Sequence, residues 1–590
     1  MAGHRDETAS SPGFGWIPEL RARVLDWVAD DPDPETRNEV AALADRADAG
    51  DPSAIAELGD RFATDLAFGT AGLRSALGGG PNRMNLAVVV RTAAAIVSWV
   101  GDTAGPDGAR RGVAIAFDAR HRSADFAEAT AAVVAGAGIR AHLLPGPLPT
   151  PVLAFAVRHL SAAAGVMVTA SHNPATDNGY KVFDGTGRQI AAPTDAHIAG
   201  AMVAVGRISS VPRTGPDDPD VLRHGDDVVA AYVVGAAAAG LAPGARSVRI
   251  AYTAMHGVGA ATTRRVLDAA GFAPAVEVAE QSEPDPDFPT VAFPNPEEPG
   301  ALDLGLACAA AAGAEVLIAH DPDADRLGAA VPDPSLGPAS DPAGWRVLGG
   351  DDIGAVLAHH LLAHGGVPPD AVLATTIVSS TLLGRMAAAA GVAYEETLTG
   401  FKWLSRAAGE GRRLGFAYEE ALGFCVGDLV ADKDGITAAV VFAEAVAVLA
   451  AEGRIVLDVL DDLARSHGVH LTGQWSARVA GVDAMATLGA AMGVLRSSPP
   501  TELAGRTVSE VVDLIDGDPA RGFPPIDVLT LQLDGARVVV RPSGTEPKLK
   551  CYVEVVEPVA GDGDLAAARA RAAEALEELT AAIAAATGLA

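Results

Sequence analysis

Ser171 lies in the run Thr169-Ala-Ser-His-Asn-Pro174, directly after the apolar segment Gly165–Val168. A serine hydroxyl attacks poorly at neutral pH and needs a neighbour that moves its proton. His172 flanks it, and Lys181 brings an ammonium back after the turn signal Asn178-Gly179. A second polar loop, Asp321-Pro-Asp-Ala-Asp-Arg326, follows the apolar segment Glu315–Ala319. Carboxylates at alternate positions of an exposed strand end can converge on one hard cation, and Mg²⁺ takes such oxygen ligands while leaving places for phosphate oxygen or water. A calcium loop opens with the same alternation but needs Gly at its sixth position and Glu at its twelfth. Those positions here are Arg326 and Pro332. A third loop, Arg541-Pro-Ser-Gly-Thr-Glu-Pro-Lys548, gathers a guanidinium, two hydroxyls, the N–H groups around Gly544 and an ammonium. That set suits a dianionic phosphate. It is not a Walker loop, because no GK[ST] closes a glycine-rich run.

Weaker pieces fit around these three. Phe68–Arg74 is a glycine-rich segment ending in a cation, and Tyr418–Gly423 offers Glu419 and Glu420 to sugar hydroxyls. Thr399-Gly400-Phe401-Lys402 and Asp432-Lys433-Asp434-Gly435 each set a lysine beside a glycine turn, whereas His256 reads as structural. Together the loops point to phosphoryl transfer through a phosphoserine, a reaction carried by positioning and charge neutralisation. Ser171 would carry the group, a metal would bridge it to Asp321, Asp323 and Asp325, and Arg74 and Arg326 would neutralise the remaining oxygens. Lys181 or His172 would take the proton of the attacking hydroxyl.

These loops need a scaffold, and the pattern supplies one. Residues 1–16 read as a tail, and Trp16–Asp65 is helical, with Leu20, Val24, Trp27 and Val28 at three- and four-residue spacing. Short apolar strands then alternate with alanine-rich helices: Gly112–Phe117 with Asp125–Ala137, Val248–Tyr252 with Ala261–Ala270, and Val372–Ile377 with Thr381–Ala390. Such alternation favours α/β layers. Breaks rich in Pro, Asp and Gly near 206–226, 331–350 and 496–524 divide the chain. The expected units are an extension over 1–64, α/β domains over 65–206, 226–333 and 345–460, and an α+β domain over 470–590, where the strands Ala536–Val540 and Leu549–Val556 precede a helix at Leu565–Ala585.

A net charge of −31 and a pI near 4.7 argue against a nucleic-acid surface, though a few local cations can still hold a small phosphate ester. Cys308, Cys425 and Cys551 form no disulfide framework, which favours a reducing, cytoplasmic setting. The uncharged run Val228–Ala242 falls short of a bilayer span and reads as a buried helix, so no membrane role is expected.

TASHNP with NGYK, DPDADR, EEALG and RPSGTEPK, in that order from about Asp65 to Val556, resemble the α-D-phosphohexomutase superfamily. The resemblance implies three similar mixed or parallel α/β domains and a C-terminal α+β domain around a central cleft. It implies that Ser171 is the phosphoserine, that Asp321, Asp323 and Asp325 bind Mg²⁺ and that Lys181 is the leading acid/base. Glu419 would then contact sugar hydroxyls, with Thr399, Gly400, Lys402, Glu420 and Lys433 around the sugar. Arg541, Ser543, Gly544 and Thr545 would hold the non-reacting phosphate. TGFKW, YEEALG, DKDG and the helical extension resemble the phosphoglucomutase-2/phosphopentomutase branch, which implies transfer between C1 and C6, or C5, of an aldose phosphate, with a sugar bisphosphate as activator. One departure is Ala421, where many relatives carry Ser. The implied partner is a phosphosugar, the implied assembly a monomer or small homo-oligomer. The alternatives are a phosphomannomutase and, in another class, a non-catalytic sugar-phosphate sensor; the intact Ser171 disfavours the sensor. A serine hydrolase is unsupported without GxSxG.

Overall fold

The computed structural model describes residues 15–68, 72–242, 244–479, 484–543 and 547–589. The chain starts with three helices, Pro18–Asp30, Pro34–Asp48 and Pro52–Arg61, each with a proline in its first turn. The stretch expected to be helical divides into three helices, because Asp33 and Asp51 accept the Glu35 and Ser53 N–H groups and start new helices there. Val24, Val40, Ala44, Leu58 and Phe62 close a small core between them. Arg122 Nη2 to Asp33 (2.6 Å) and Ile208 N–H to Asp30 (2.6 Å) dock this extension onto the first sheet's domain.

Three α/β sheets follow. The first runs Leu73–Ala76, Asp177–Asp184, Ala164–Val168, Val113–Phe117, Ala141–Pro147, Val221–Arg223. The second runs Trp345–Val347, Gly328–Pro332, Val316–Ala319, Ile250–Thr253, Val276–Glu277. The third runs Ala393–Thr397, Ala371–Thr376, Arg413–Glu419, Gly423–Val426. Their central strands, such as Val113–Phe117 and Val316–Ala319, are apolar along nearly their whole length because helices cover both faces. Each sheet joins its parallel strands to an antiparallel neighbour: Ala164–Val168 to Asp177–Asp184, Val316–Ala319 to Gly328–Pro332, Arg413–Glu419 to Gly423–Val426. In the first two sheets a further antiparallel strand, Leu73–Ala76 or Trp345–Val347, follows at the edge.

The fourth sheet is wholly antiparallel, with Ala536–Pro542 and Lys548–Glu557 paired at its centre and the helix Leu565–Thr587 across it. This is the expected α+β unit. Helix Gly435–Ala451 is apolar round nearly its whole circumference, with Glu444 paired to Arg246 and His360, and it is buried against helices of both the second and third domains. One continuous core, from Leu153 and Tyr232 to Phe416 and Phe442, therefore joins the first three domains. A separate cluster of Ile377, Leu398, Val528, Val539 and Tyr552 seats the fourth domain on the third. Helix Leu86–Arg111 is long and apolar enough to cross a membrane; it packs against Ser123–Gly136 and Thr194–Ala204, with 56% of its apolar window buried. Asp227–Ala237 is the helix expected from the apolar run, and it buries Val228, Val229, Tyr232 and Val233.

Candidate active site

These antiparallel pairs, one in each α/β sheet, carry three of the polar loops at equivalent places. Ser171 lies in the turn after Ala164–Val168, the aspartates in the turn after Val316–Ala319, and Glu419 and Glu420 at the turn after Arg413–Glu419. Polar loops thus collect at the carboxyl ends of the parallel strands, where open α/β sheets present their ligand sites.

Ser171 adopts φ 53°, a left-handed conformation costly for a residue with a Cβ. Its hydroxyl donates to Asp321 Oδ2 at 2.9 Å and lies 3.2 Å from His172 Nδ1. A loop of the first domain and a loop of the second are therefore joined at the hydroxyl that would react. Close backbone approach shapes the surroundings. A Cβ on Gly179 would meet Thr169 O at 2.5 Å and Leu73 O at 2.7 Å, so only glycine lets the Arg74 strand pass this close to the serine loop. Likewise, a Cβ on Gly435 would meet Arg326 O at 2.3 Å, so the third domain presses against the aspartate loop.

Asp321, Asp323 and Asp325 are 0% exposed, not at an exposed strand end as charge pattern alone suggests. Thr150, Lys181, Lys433 and the Ser171 loop cover them. Their ligand oxygens lie within 4.8 Å of one another. Lys181 Nζ donates to Asp323 Oδ2 at 2.7 Å and to Asp325 Oδ2 at 2.8 Å; Thr150 Oγ1 also donates to Asp323 Oδ2, at 2.5 Å. Lys433 Nζ stands 3.2 Å from Asp325 Oδ2. Asp323 Oδ1 and Asp325 Oδ1 are buried without a hydrogen-bond partner among the described residues. Orphaned anionic oxygens in a water-poor place are expensive unless a cation completes them. The donor set, all hard oxygen, fits a divalent cation such as Mg²⁺.

Burial, with Asp323 and Asp325 alongside, pushes the Asp321 carboxyl well above the usual carboxylate range. Burial acts on Asp325 in the same direction, but Lys181, Lys433 and Arg326 outweigh it and hold that carboxyl well below. Burial would also strip the Lys181 proton, yet Asp323 and Asp325 raise this ammonium above the ordinary lysine value. Burial, then the Arg326 and Arg74 charges, keep His172 well below its ordinary value, so its imidazole is uncharged at pH 7.

The other expected residues divide. Arg326 Nη1 donates to Glu297 Oε2 at 3.0 Å, and Arg74 Nη1 to Asn173 Oδ1 at 3.3 Å. Glu419 faces Lys433, at 3.9 Å, where burial raises its carboxyl. Glu420 turns elsewhere. Its Oε2 accepts the Ser379 hydroxyl at 3.0 Å and the Thr376 hydroxyl at 3.4 Å, and burial lifts its carboxyl to about 7. Arg541 Nη1 donates to Thr399 Oγ1, bringing the fourth domain's loop to the third. Gly400, at φ 105°, leads into the short helix Phe401–Leu404 that carries Lys402, whose ammonium lies 3.9 Å from Asp195 of the first domain. Ser543 N–H donates to Lys548 O at 2.7 Å, at the base of the hairpin loop. Gly544 and Thr545 lie outside the described residues. Sequence reasoning misses Thr150, Glu297 and Ser379: Thr150 opens the helix Thr150–His159, Glu297 lies in the long loop before the helix Asp303–Ala312, and Ser379 follows the strand Ala371–Thr376, places that share no local signal.

Comparison with known proteins agrees with this arrangement. Models of the phosphoglucomutase/phosphomannomutase alpha/beta/alpha domains I, II and III match residues 65–206, 232–335 and 349–466, and that of the C-terminal domain matches 504–572. The chain belongs to this phosphoglucomutase/phosphomannomutase family, within the α-D-phosphohexomutase superfamily. A phosphohexomutase of this family is an intramolecular phosphotransferase. A probable phosphomannomutase of Haemophilus influenzae is 43% identical over 75% of this chain and 87% of its own length. A probable phosphoribomutase of Schizosaccharomyces pombe is 34% identical over 91% and 94%, and a phosphopentomutase of Mus musculus 32% identical over 92% of each. A putative phosphomannomutase from Thermus thermophilus shares the fold, with TM-score 0.64 and 24% identity over 88% of this chain and 98% of that one.

Proposed function

We propose that the chain moves a phosphoryl group between C1 and C6, or C5, of an aldose phosphate through a phosphoserine at Ser171 and a bisphosphorylated sugar. The carrying observation is the 2.9 Å bond from Ser171 Oγ to Asp321 within a buried triad. Ser171 takes the phosphoryl group and returns it to the other end of the sugar after the bisphosphate turns over in the cleft. Asp321, Asp323 and Asp325, with the Ser171 oxygen, would hold Mg²⁺, which when bound neutralises phosphoryl charge. Lys181 is the proton-moving residue, already protonated against Asp323 and Asp325. His172 stays uncharged beside Oγ. Arg74 and Arg326 receive the phosphoryl oxygens, and Arg326 exchanges Glu297 for them. Glu419 and Lys433 face the sugar hydroxyls, with Thr399, Gly400 and Lys402 at its edge. Arg541, Ser543, Gly544 and Thr545 grip the phosphate that does not react. The three free cysteines support a cytoplasmic setting.

Arg541→Ala is expected to raise KM for the phosphosugar by roughly 10- to 150-fold, matching about 1.5–3 kcal/mol for a charge-assisted hydrogen bond, with kcat changed far less. Steady-state kinetics decide this, and an unchanged KM would remove the phosphate grip from Arg541.

Glucose 1-phosphate is the first substrate on this reading, and ribose or deoxyribose 1-phosphate the second. The near full-length match to relatives named for pentose phosphates supports the second. A coupled assay with glucose, mannose and ribose 1-phosphates at equal concentration tests the order. Highest kcat/KM on mannose 1-phosphate would reassign the chain as a phosphomannomutase, and turnover of none would reject the mutase.

A further inference from the structure

We infer that Arg120 is the positioning residue of the serine loop, holding the reacting hydroxyl in place through the backbone of Ser171; this rests on the phosphoserine reading above. Arg120 follows the strand Val113–Phe117 and is 4% exposed. Its Nη2 donates to Ser171 O and Asn173 O, both at 2.6 Å, and its Nη1 to Pro174 O at 2.7 Å and Asp177 O at 3.1 Å. Four carbonyls of the serine loop thus converge on one guanidinium. The fifth donor, Nε, faces Asp118 Oδ2 at 3.4 Å, and both side chains of this ion pair are 1% exposed. Asp118 is fixed in turn, since its Oδ1 accepts the Ser123 hydroxyl at 2.7 Å and the Arg120 N–H at 3.0 Å. The Phe288 ring of the second domain lies 4.9 Å from the Arg120 Cζ and closes the far side.

Carbonyl dipoles pointing at one another repel unless a cation sits between them, and only a guanidinium offers enough donors in a fixed plane to serve four. The loop has a particular need for such a brace. Ser171 at φ 53° is in a left-handed conformation that a residue with a Cβ keeps only where its surroundings over-determine it. Two bonds do so: the Thr169 hydroxyl accepts the Ser171 N–H at 2.9 Å, and Arg120 takes the Ser171 carbonyl. Because a trans peptide sets its N–H opposite its carbonyl, gripping Ser171 O also fixes the direction of the His172 N–H. Arg120 touches neither the hydroxyl nor any proposed substrate contact. Its effect belongs in the chemical step and not in sugar binding.

The test compares Arg120→Lys, Arg120→Met and the unaltered protein. Ser171 phosphorylation is followed by intact mass after incubation with glucose 1,6-bisphosphate, alongside kcat and KM. Loosening a reacting group by about 1 Å costs on the order of 10²-fold. Arg120→Met is expected to lose that much in kcat and in the rate of Ser171 phosphorylation. Arg120→Lys, with three donors, should lose at least about tenfold, and KM should move by less than about threefold in both. A folded variant with lowered Tm but unaltered kcat and phosphorylation rate would show a merely structural role and overturn the inference. If Arg120→Met does not fold, Asp118→Asn, which frees Nε, should still lower kcat several-fold at unchanged KM, and unaltered kcat there is equally fatal. If the unaltered protein phosphorylates and the variants match it, this inference alone fails. No phosphorylation of the unaltered protein would bring down the mutase reading with it.

Discussion

Ser171→Ala is expected to abolish mutase turnover, by about 10⁴-fold or more, which corresponds to roughly 5.5 kcal/mol of activation free energy. On the proposed reading, the variant lacks the oxygen that carries the phosphoryl group between the two ends of the sugar, and no neighbouring side chain is placed to substitute. His172 is a neutral imidazole 3.2 Å from the vacated position, but Asp321 Oδ2 is placed to meet the serine oxygen and not the ring. The fold should survive. Alanine must adopt the same left-handed φ as Ser171, and Arg120 with Thr169 still hold the backbone there. Asp321 loses one donor yet keeps the Arg326 N–H at 3.1 Å, so stability should fall by no more than about 1–3 kcal/mol. Intact mass after incubation with a sugar bisphosphate should show one phosphoryl group on the unaltered protein and none on the variant. Near-normal turnover, or a label on another residue, would dismiss Ser171 as the carrier.

Much of this site is legible in the chain because each loop is contiguous. Ser171 with His172, the alternating aspartates and the Arg541–Lys548 run are short patterns whose residue types already name a chemistry. The α/β alternation is legible for the same local reason, with strand ends displaced by a residue or two, as at Ile250–Thr253 against the expected Val248–Tyr252. What pairs with what across the cleft is not legible. Thr150 reaches Asp323 over 173 positions of sequence and Lys181 reaches Asp325 over 144, and no spacing rule spans such gaps. Burial of the aspartates is also invisible locally, since charged residues are seldom fully buried and an acidic run reads as solvated. Glu419 and Glu420 are adjacent, yet one faces Lys433 and the other Ser379, because neighbouring residues at a strand end point to opposite sides. Arg120 illustrates the same limit: a single arginine after a strand has no local signature of the four carbonyls it will meet.

Removing divalent cations with a chelator should reduce turnover by several orders of magnitude, with Mg²⁺ restoring it, and the unequal charges in the triad predict more than this. In metal-free protein Asp321 resists ionisation while Asp325 is held ionised by Lys181, Lys433 and Arg326. The two aspartates therefore act on stability with opposite sign. A raised folded pKa means that the folded state binds the proton more tightly. Asp321 accordingly costs metal-free protein stability as pH rises from about 4, the unfolded value, toward its own raised one. A bound dication lowers that cost, so Mg²⁺ without any sugar should raise Tm and flatten this pH dependence; binding at 100 times Kd adds about 2.7 kcal/mol. Asp321→Asn removes the resisting charge and should leave metal-free Tm unchanged or higher, whereas Asp325→Asn leaves Lys181 and Lys433 undercompensated and should lower it. Both should lose the Mg²⁺-dependent rise in Tm together with activity. Thermal unfolding across pH, with and without Mg²⁺, separates these outcomes. Full activity in chelator, or the same metal-free Tm change in both variants, would mean that the triad is not a cation site built on opposed carboxylates.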